Sequence, residues 1–246
     1  MRTSLAGRTP VIHKRPAIWA LSGLLLLAAG IVTGVISLSP GQQVRALPAG
    51  KALDFDGTND YVTFGTASGL GVTTFTIEAW IRQDGAGATT TTSSAGGGGF
   101  TSTNPAVPIL TKGRGEGDNS NVDMNWFLGL QANKIAVDYE EGAGQVQPGQ
   151  NHAYTGTTTI VNGRWYHAAA TFDGTTLRLY LNGVEEGTGL NVGAGSRLPR
   201  SDSIQHAGLA TAMTSTGLAQ GFFNGVIDEA RVWNVARSGS AILTGL

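Results

Sequence analysis

Apolar residues recur at every second position through much of this chain, the period of strands that bury one face. The clearest run is residues 165–184. Ala168, Ala170 and Phe172 alternate with polar or amphipathic positions, Asp173-Gly174 interrupts, and Leu177, Leu179 and Leu181 resume the period before Asn182-Gly183 turns the chain again. Such runs, bounded by Asp-Gly and Asn-Gly, predict antiparallel hairpins. Phe75, Ile77, Ala79 and Ile81 alternate in the same way. Trp80 adds apolar weight to the opposite face of that strand, as expected of a central strand covered on both sides. Further strands are predicted over 51–64 around an acidic turn, 106–112, 126–131, 134–139 and 225–233, with Ala132-Asn133 as a short turn.

Between these runs, Asp84 to Asn104 is rich in Gly, Thr, Ser and Ala and is expected to form a long flexible loop. Residues 141–158 and 188–221 are similar connections with one short strand each. No amphipathic helical period stands out beyond residue 50.

The first residues differ from all of this. Ala17 to Leu38 carries no charge and is preceded by Arg2, Arg8, Lys14 and Arg15, the pattern of an export element. Two forms stay open: a cleaved signal peptide, for which Val44-Arg45-Ala46 is a small-residue cleavage site, or a retained N-terminal membrane anchor. Either form delivers the remainder across the membrane, secreted or held on its outer side. The expected organisation is therefore residues 1–46 as export segment, 47–50 as linker, 51–236 as one β-domain and 237–246 as a C-terminal tail. The membrane is met only through the N-terminal segment.

After Ala46 the chain carries 17 acidic against 11 basic residues, so a nucleic-acid partner is not expected. With no cysteine among 246 residues, neither disulfides nor thiolate metal ligands are available. Stability has to come from packing. The 37 glycines follow no fixed period and fit many tight turns.

Three segments in order, Ala52-Leu53-Asp54-Phe55-Asp56-Gly57-Thr58-Asn59-Asp60-Tyr61-Val62, the 165–184 hairpin, and Gly225-Val226-Ile227-Asp228-Glu229-Ala230-Arg231-Val232-Trp233-Asn234, resemble the LamG-like jelly-roll domains of the concanavalin A-like lectin/glucanase superfamily. The resemblance implies an all-β, two-sheet antiparallel jelly-roll sandwich, here preceded by the apolar N-terminal helix.

Among chemical candidates, Asp54-x-Asp56-Gly57-x-x-Asp60 gathers hard oxygen ligands of the kind Ca2+ takes. It is not an EF-hand, since Gly65 stands where that motif has its bidentate Glu. In jelly rolls the first and last strands commonly pair, which brings Asp228 towards this turn, and the resemblance implies a calcium site of Asp56, Asp60 and Asp228. The competing account is that Asp56 and Asn59 merely bond their own turn. A second candidate is the polar loop Asp118, Asn119, Asn121 and Asp123 running into Trp126, where a ring for a pyranose face and groups for its hydroxyls would form a sugar site. Its competitor is a solvated turn beside a core Trp. Trp80, Trp165 and Trp233 lie inside strand patterns and read as packing, and Glu229 with Arg231 as a same-face charge pair.

Glycoside hydrolysis needs two carboxyl groups flanking one bond. The Glu-x-Asp-x-Glu strand of the superfamily's hydrolases is missing here, and only Asp138 with Glu140 comes near it. His152, His167 and His206 have no partner at triad or metal spacing. The expectation is a non-catalytic, extracytoplasmic binding module that recognises carbohydrate or an extracellular protein ligand with help from Ca2+. Its rivals are an adhesive scaffold without a small ligand and, less favoured, a glycan hydrolase.

Overall fold

The computed structural model describes residues 11–12, 52–93, 97–118 and 120–246. In chain order its strands are β1 (Val11–Ile12), β2 (Leu53–Asp56), β3 (Val62–Gly65), β4 (Phe75–Gln83), β5 (Val107–Lys112), β6 (Trp126–Gln131), β7 (Lys134–Asp138), β8 (Tyr154–Thr159), β9 (Trp165–Phe172), β10 (Thr176–Leu181), β11 (Val184–Glu185), β12 (Leu190–Asn191), β13 (Ala207–Leu209), β14 (Ala212–Met213), β15 (Ala219–Gln220) and β16 (Asn224–Trp233). Among the described residues they make two seven-stranded sheets, one ordered β1-β3-β13-β5-β6-β7-β8 and the other β11-β10-β9-β4-β16-β2 with β12 also on β10, while β14 and β15 pair with each other apart from both. We call these sheets 1 and 2. The pairings are antiparallel throughout, and the sandwich expected from the sequence is present.

Alternation puts Phe75, Ile77, Ala79 and Ile81 of β4 with Ala168, Ala170 and Phe172 of β9 on the inner face of sheet 2. They meet Trp126, Leu128, Leu130, Ile135, Val137 and Tyr139 from sheet 1. At roughly 25 cal/mol per Å² this burial is the main force holding the sheets together. Two hairpins close as expected, with φ of 50° and 59° at Ala132 and Asn133, and 52° and 78° at Asn182 and Gly183. Left-handed values at both central residues match the twist of the flanking strands. The acidic turn after β2 crosses the sandwich edge, because β2 joins sheet 2 and β3 joins sheet 1.

Both outer faces are also covered. Residues 84–104 do connect strands, but those described among them are anchored at several points over the sandwich. Ala88 bridges Phe222, Thr90 bridges Ala106, and the Phe100 ring packs 5.8 Å from that of Phe127. With the β14–β15 hairpin this segment roofs a second small core of Phe100, Ala106, Met124, Phe127, Ala136 and Ala212. Composition hid this, because one aromatic residue and backbone bridges do the anchoring.

On the outer face of sheet 2, the chain after β16 returns as a strap that ends in helix α1 (Gly239–Leu243). Thr76 Oγ1 donates to Val235 O at 2.8 Å, and Ile242 is buried against Ala169 and Tyr180. The residues expected as a tail from 237 onward thus contribute packing. The apolar run Ala17–Leu38 and the linker 47–50 lie outside the described residues, and among those described no helix is long and apolar enough to cross a membrane.

Candidate functional site

The strand register fixes where the acidic turn sits. Asp56 pairs with Asn224 and Leu53 with Ile227 in the β2–β16 ladder. First and last strands do pair, yet Asp228 lies four positions along β16 from Asn224, about 13 Å at strand rise, and faces Trp80 of β4 instead. Asp56 Oδ1 accepts from the Thr58 amide at 2.7 Å and the Asn59 amide at 3.1 Å, and these donors hold its carboxyl below the usual range. Asp228 Oδ1 accepts from the Glu229 amide at 2.8 Å, beside a bulge where Glu229 takes a φ of 50°. The structure keeps Asp56 and Asp60 in one turn and places Asp228 elsewhere. Among the described residues no three His, Asp or Glu side chains converge as metal ligands, so these residues do not fit the calcium cage expected of them. Arg231 meets Glu229, the same-face pair the strand period predicts.

The loop before β6 is likewise divided. Asp118 is half-buried, Asn121 exposed and Asp123 buried, and Asn119 lies outside the described residues. Asp123 pairs with Arg200 at 3.4 Å, and burial pushes its carboxyl up to about 6. Trp126 corrects the sugar-platform expectation, for it is fully buried and its Nε1 donates to Leu70 O at 3.0 Å. A ring in the core cannot stack on a sugar. The signal was available, since Trp126, Leu128 and Leu130 share one strand face.

Beside Trp126, two more side chains tie crossing segments to the end of sheet 1. Asn125 Nδ2 donates to Val72 O and Arg200 O at 3.1 and 2.8 Å. Lys112 is fully buried, and its Nζ donates to the carbonyls of Thr66, Ser203 and Gln205 at 2.7, 3.0 and 3.0 Å. Burial brings its ammonium down to about 8. Sequence reasoning passed over Lys112, because a strand-end lysine ordinarily reads as solvated.

The most polar buried region lies under the roof, on the outer face of sheet 1. Alternation turns Val137 and Tyr139 inward and Asp138 and Glu140 outward. Both carboxyl groups are fully buried. Asp138 Oδ2 accepts from the Thr92 hydroxyl and from Asn151 Nδ2 at 3.1 Å, while Oδ1 accepts from the His152 amide at 3.0 Å. Burial nonetheless raises its carboxyl to about 7. Glu140 accepts from the Met124 amide, and burial, with Asp138 and Asp123 nearby, pushes it to about 10. Glu141 Oε1 accepts from Arg197 Nη1 at 2.6 Å and meets His152 Nε2 at 2.8 Å. A Cβ at Gly99 would lie 2.7 Å from Thr92 Oγ1 and 2.8 Å from Asp138 Oδ2, so only glycine lets the roof come this close.

The model of one family, the concanavalin A-like lectin/glucanases superfamily, matches residues 56–243. The chain belongs to that superfamily. Among curated proteins it is similar to pappalysin-1 of Mus musculus, 22% identical over 199 residues, and to pappalysin-1 of Homo sapiens, 22% identical over 206. Each match covers 81% of this chain but only 11% of the relative's length. Among solved structures it is similar to the CBM40 domain of the Ruminococcus gnavus IT-sialidase bound to α2,3-sialyllactose. That match has a TM-score of 0.52 at 13% identity, over 73% of this chain and 85% of the other.

Proposed function

We propose that the chain is an extracytoplasmic, non-catalytic carbohydrate-binding module. One observation carries the non-catalytic part: Asp138 and Glu140, the carboxyl pair nearest to a hydrolase arrangement, are both buried and engaged by the protein's own donors. A glycosidase needs two carboxyl groups facing an accessible bond. The sugar class is supported by superfamily membership and by the shared fold of a domain solved with a bound oligosaccharide. Export is supported by the uncharged Ala17–Leu38 run behind its basic flank. Nothing in this reading depends on calcium.

A glycan array probed with the full-length chain, with and without chelator, tests it. Binding to defined oligosaccharides is expected, and an array silent at high protein concentration would leave the adhesive-scaffold reading in its place. Reducing ends released from polysaccharide by the wild type but not by Glu140→Gln would replace it with a hydrolase.

A further inference from the structure

Asn151 is 2% exposed, and both of its amide protons are used, one towards Thr92 O at 3.3 Å and one towards Asp138 Oδ2 at 3.1 Å. Its Oδ1 is buried and accepts no hydrogen bond from the described residues. An orphaned buried acceptor costs roughly 1 to 3 kcal/mol and calls for an explanation. Thr92, whose carbonyl takes one of those amide protons, has a single hydroxyl proton and gives it to Asp138. That hydroxyl serves one acceptor, and Asn151 Oδ1 is left without a donor among the described residues.

The partners the roof presents to sheet 1 are an alcohol on a carboxylate and an apolar ring on a ring, Thr92 on Asp138 and Phe100 on Phe127. These are the contacts that a sugar makes, with hydroxyls to carboxylate and amide and its C–H face to an aromatic. Adjacent sugar hydroxyls carry two protons and would satisfy Asp138 and Asn151 together. Asp138 and Glu140 are both fully buried on this face, and carrying a negatively charged ligand into such a site is costly unless a cation meets it.

We propose that Thr92 and Phe100 act as a built-in ligand in a saccharide cleft on the outer face of sheet 1, and that opening the roof admits a neutral sugar whose neighbouring hydroxyls take over Asp138 and Asn151 while Glu140 keeps its bond to the Met124 amide, so that one carboxyl and not a hydrolase pair meets the sugar. This rests on the carbohydrate-binding reading and narrows it, for the cleft selects uncharged over sialylated or uronic chains. It also predicts that wild-type affinity is lowered by the fraction of molecules whose roof is closed.

The test uses the full-length chain and its Thr92→Val and Phe100→Ala variants, with neutral gluco-, manno- and galacto-oligosaccharides and sialyllactose as probes in titration calorimetry. Both variants should bind a neutral oligosaccharide about tenfold more tightly than wild type, because a less stable roof opens more often. Adding Asp138→Ala to Phe100→Ala should abolish the gain. Neutral-sugar binding that is indifferent to all three substitutions, or a preference for sialyllactose, would overturn the cleft and leave the module reading standing. Absence of saccharide binding in wild type and variants alike would overturn both. Should Phe100→Ala fail to fold, hydrogen exchange on wild type decides: the amide of Asn151, bonded to Gly97 O in the roof, should lose protection when the sugar binds. Unchanged protection at saturating sugar would count against the roof opening.

Discussion

Glu78 and Arg237, 159 positions apart in sequence, meet through two hydrogen bonds of 2.8 and 3.0 Å on the outer face of β4. Trp233 Nε1 donates to the same carboxylate at 2.8 Å, and Arg231 and His167 lie 3.8 Å from it. Glu78 is fully buried, and the guanidinium that the strap after β16 brings to it is the nearest cation compensating its charge. The strap is thereby tied to the sandwich by one charged contact, by the Thr76 hydroxyl bonded to Val235 O and the Arg237 amide, and by Ile242 at its far end.

Arg237→Ala should therefore cost roughly 3 to 5 kcal/mol of unfolding free energy, the penalty for leaving a buried carboxylate without its partner. Urea unfolding followed by tryptophan fluorescence measures it. The double variant Glu78→Gln/Arg237→Ala should recover part of the loss, because the stranded charge is gone. A loss under about 1 kcal/mol in the single variant would mean that the Thr76 hydrogen bonds and the Ile242 packing hold the strap without the ion pair.

Stability should fall as pH rises from acid towards neutrality. Asp138 is raised from 3.8 to about 7 and Glu140 from 4.5 to about 10 by burial, so the folded state holds protons that the unfolded chain releases earlier. A group raised in this way stabilises the fold below its ordinary value, and that contribution is lost as pH climbs to the folded value. Asp138→Asn should flatten the decline between about pH 4 and 7, and Glu140→Gln should flatten what persists above it. Chemical denaturation at a series of pH values is the check, and a wild-type curve that rises over this window would refute the assignment.

Lys112 has the opposite slope. Its ammonium is lowered from 10.5 to about 8 by burial, so between these values the unfolded chain binds the proton more strongly and stability climbs with pH. Lys112→Met removes the titration together with the three carbonyl contacts. Unfolding free energy of wild type minus that of Lys112→Met should grow from pH 8 to 10, and a difference that is flat in pH would show that the carbonyls of Thr66, Ser203 and Gln205 hold the ammonium at its ordinary strength.

The sandwich was legible because its signal is local. Phe75, Ile77, Ala79 and Ile81 repeat with the strand period, and Asn133, Asn182 and Gly183 are the residue types that left-handed turns favour. The covering layers were not legible, because they depend on contacts between distant segments. Nothing in the Gly-Thr-Ser stretch around Thr92 announces that its hydroxyl reaches Asp138, 46 positions on. Nor does the tail reveal that Ile242 is buried against Ala169 and Tyr180. The acidic turn shows the same limit, for the pairing of first and last strands was foreseen while the register that separates Asp228 from Asp56 was not.

That register bears directly on calcium. If Asp56, Asp60 and Asp228 held one ion, Asp228→Ala would remove any chelator-sensitive part of the melting temperature. With Asp228 about 13 Å along the strand and bonded to the Glu229 amide, Asp228→Ala should leave the chelator response of wild type unchanged. Asp56→Ala should lower the melting temperature by loss of the Thr58 and Asn59 contacts, equally with calcium and with chelator, and Asp56→Asn should restore most of it by keeping an acceptor in the turn. Differential scanning calorimetry of the three variants in both buffers decides. A chelator effect present in wild type and lost in Asp228→Ala would mean that the carboxylates come together around an ion after all.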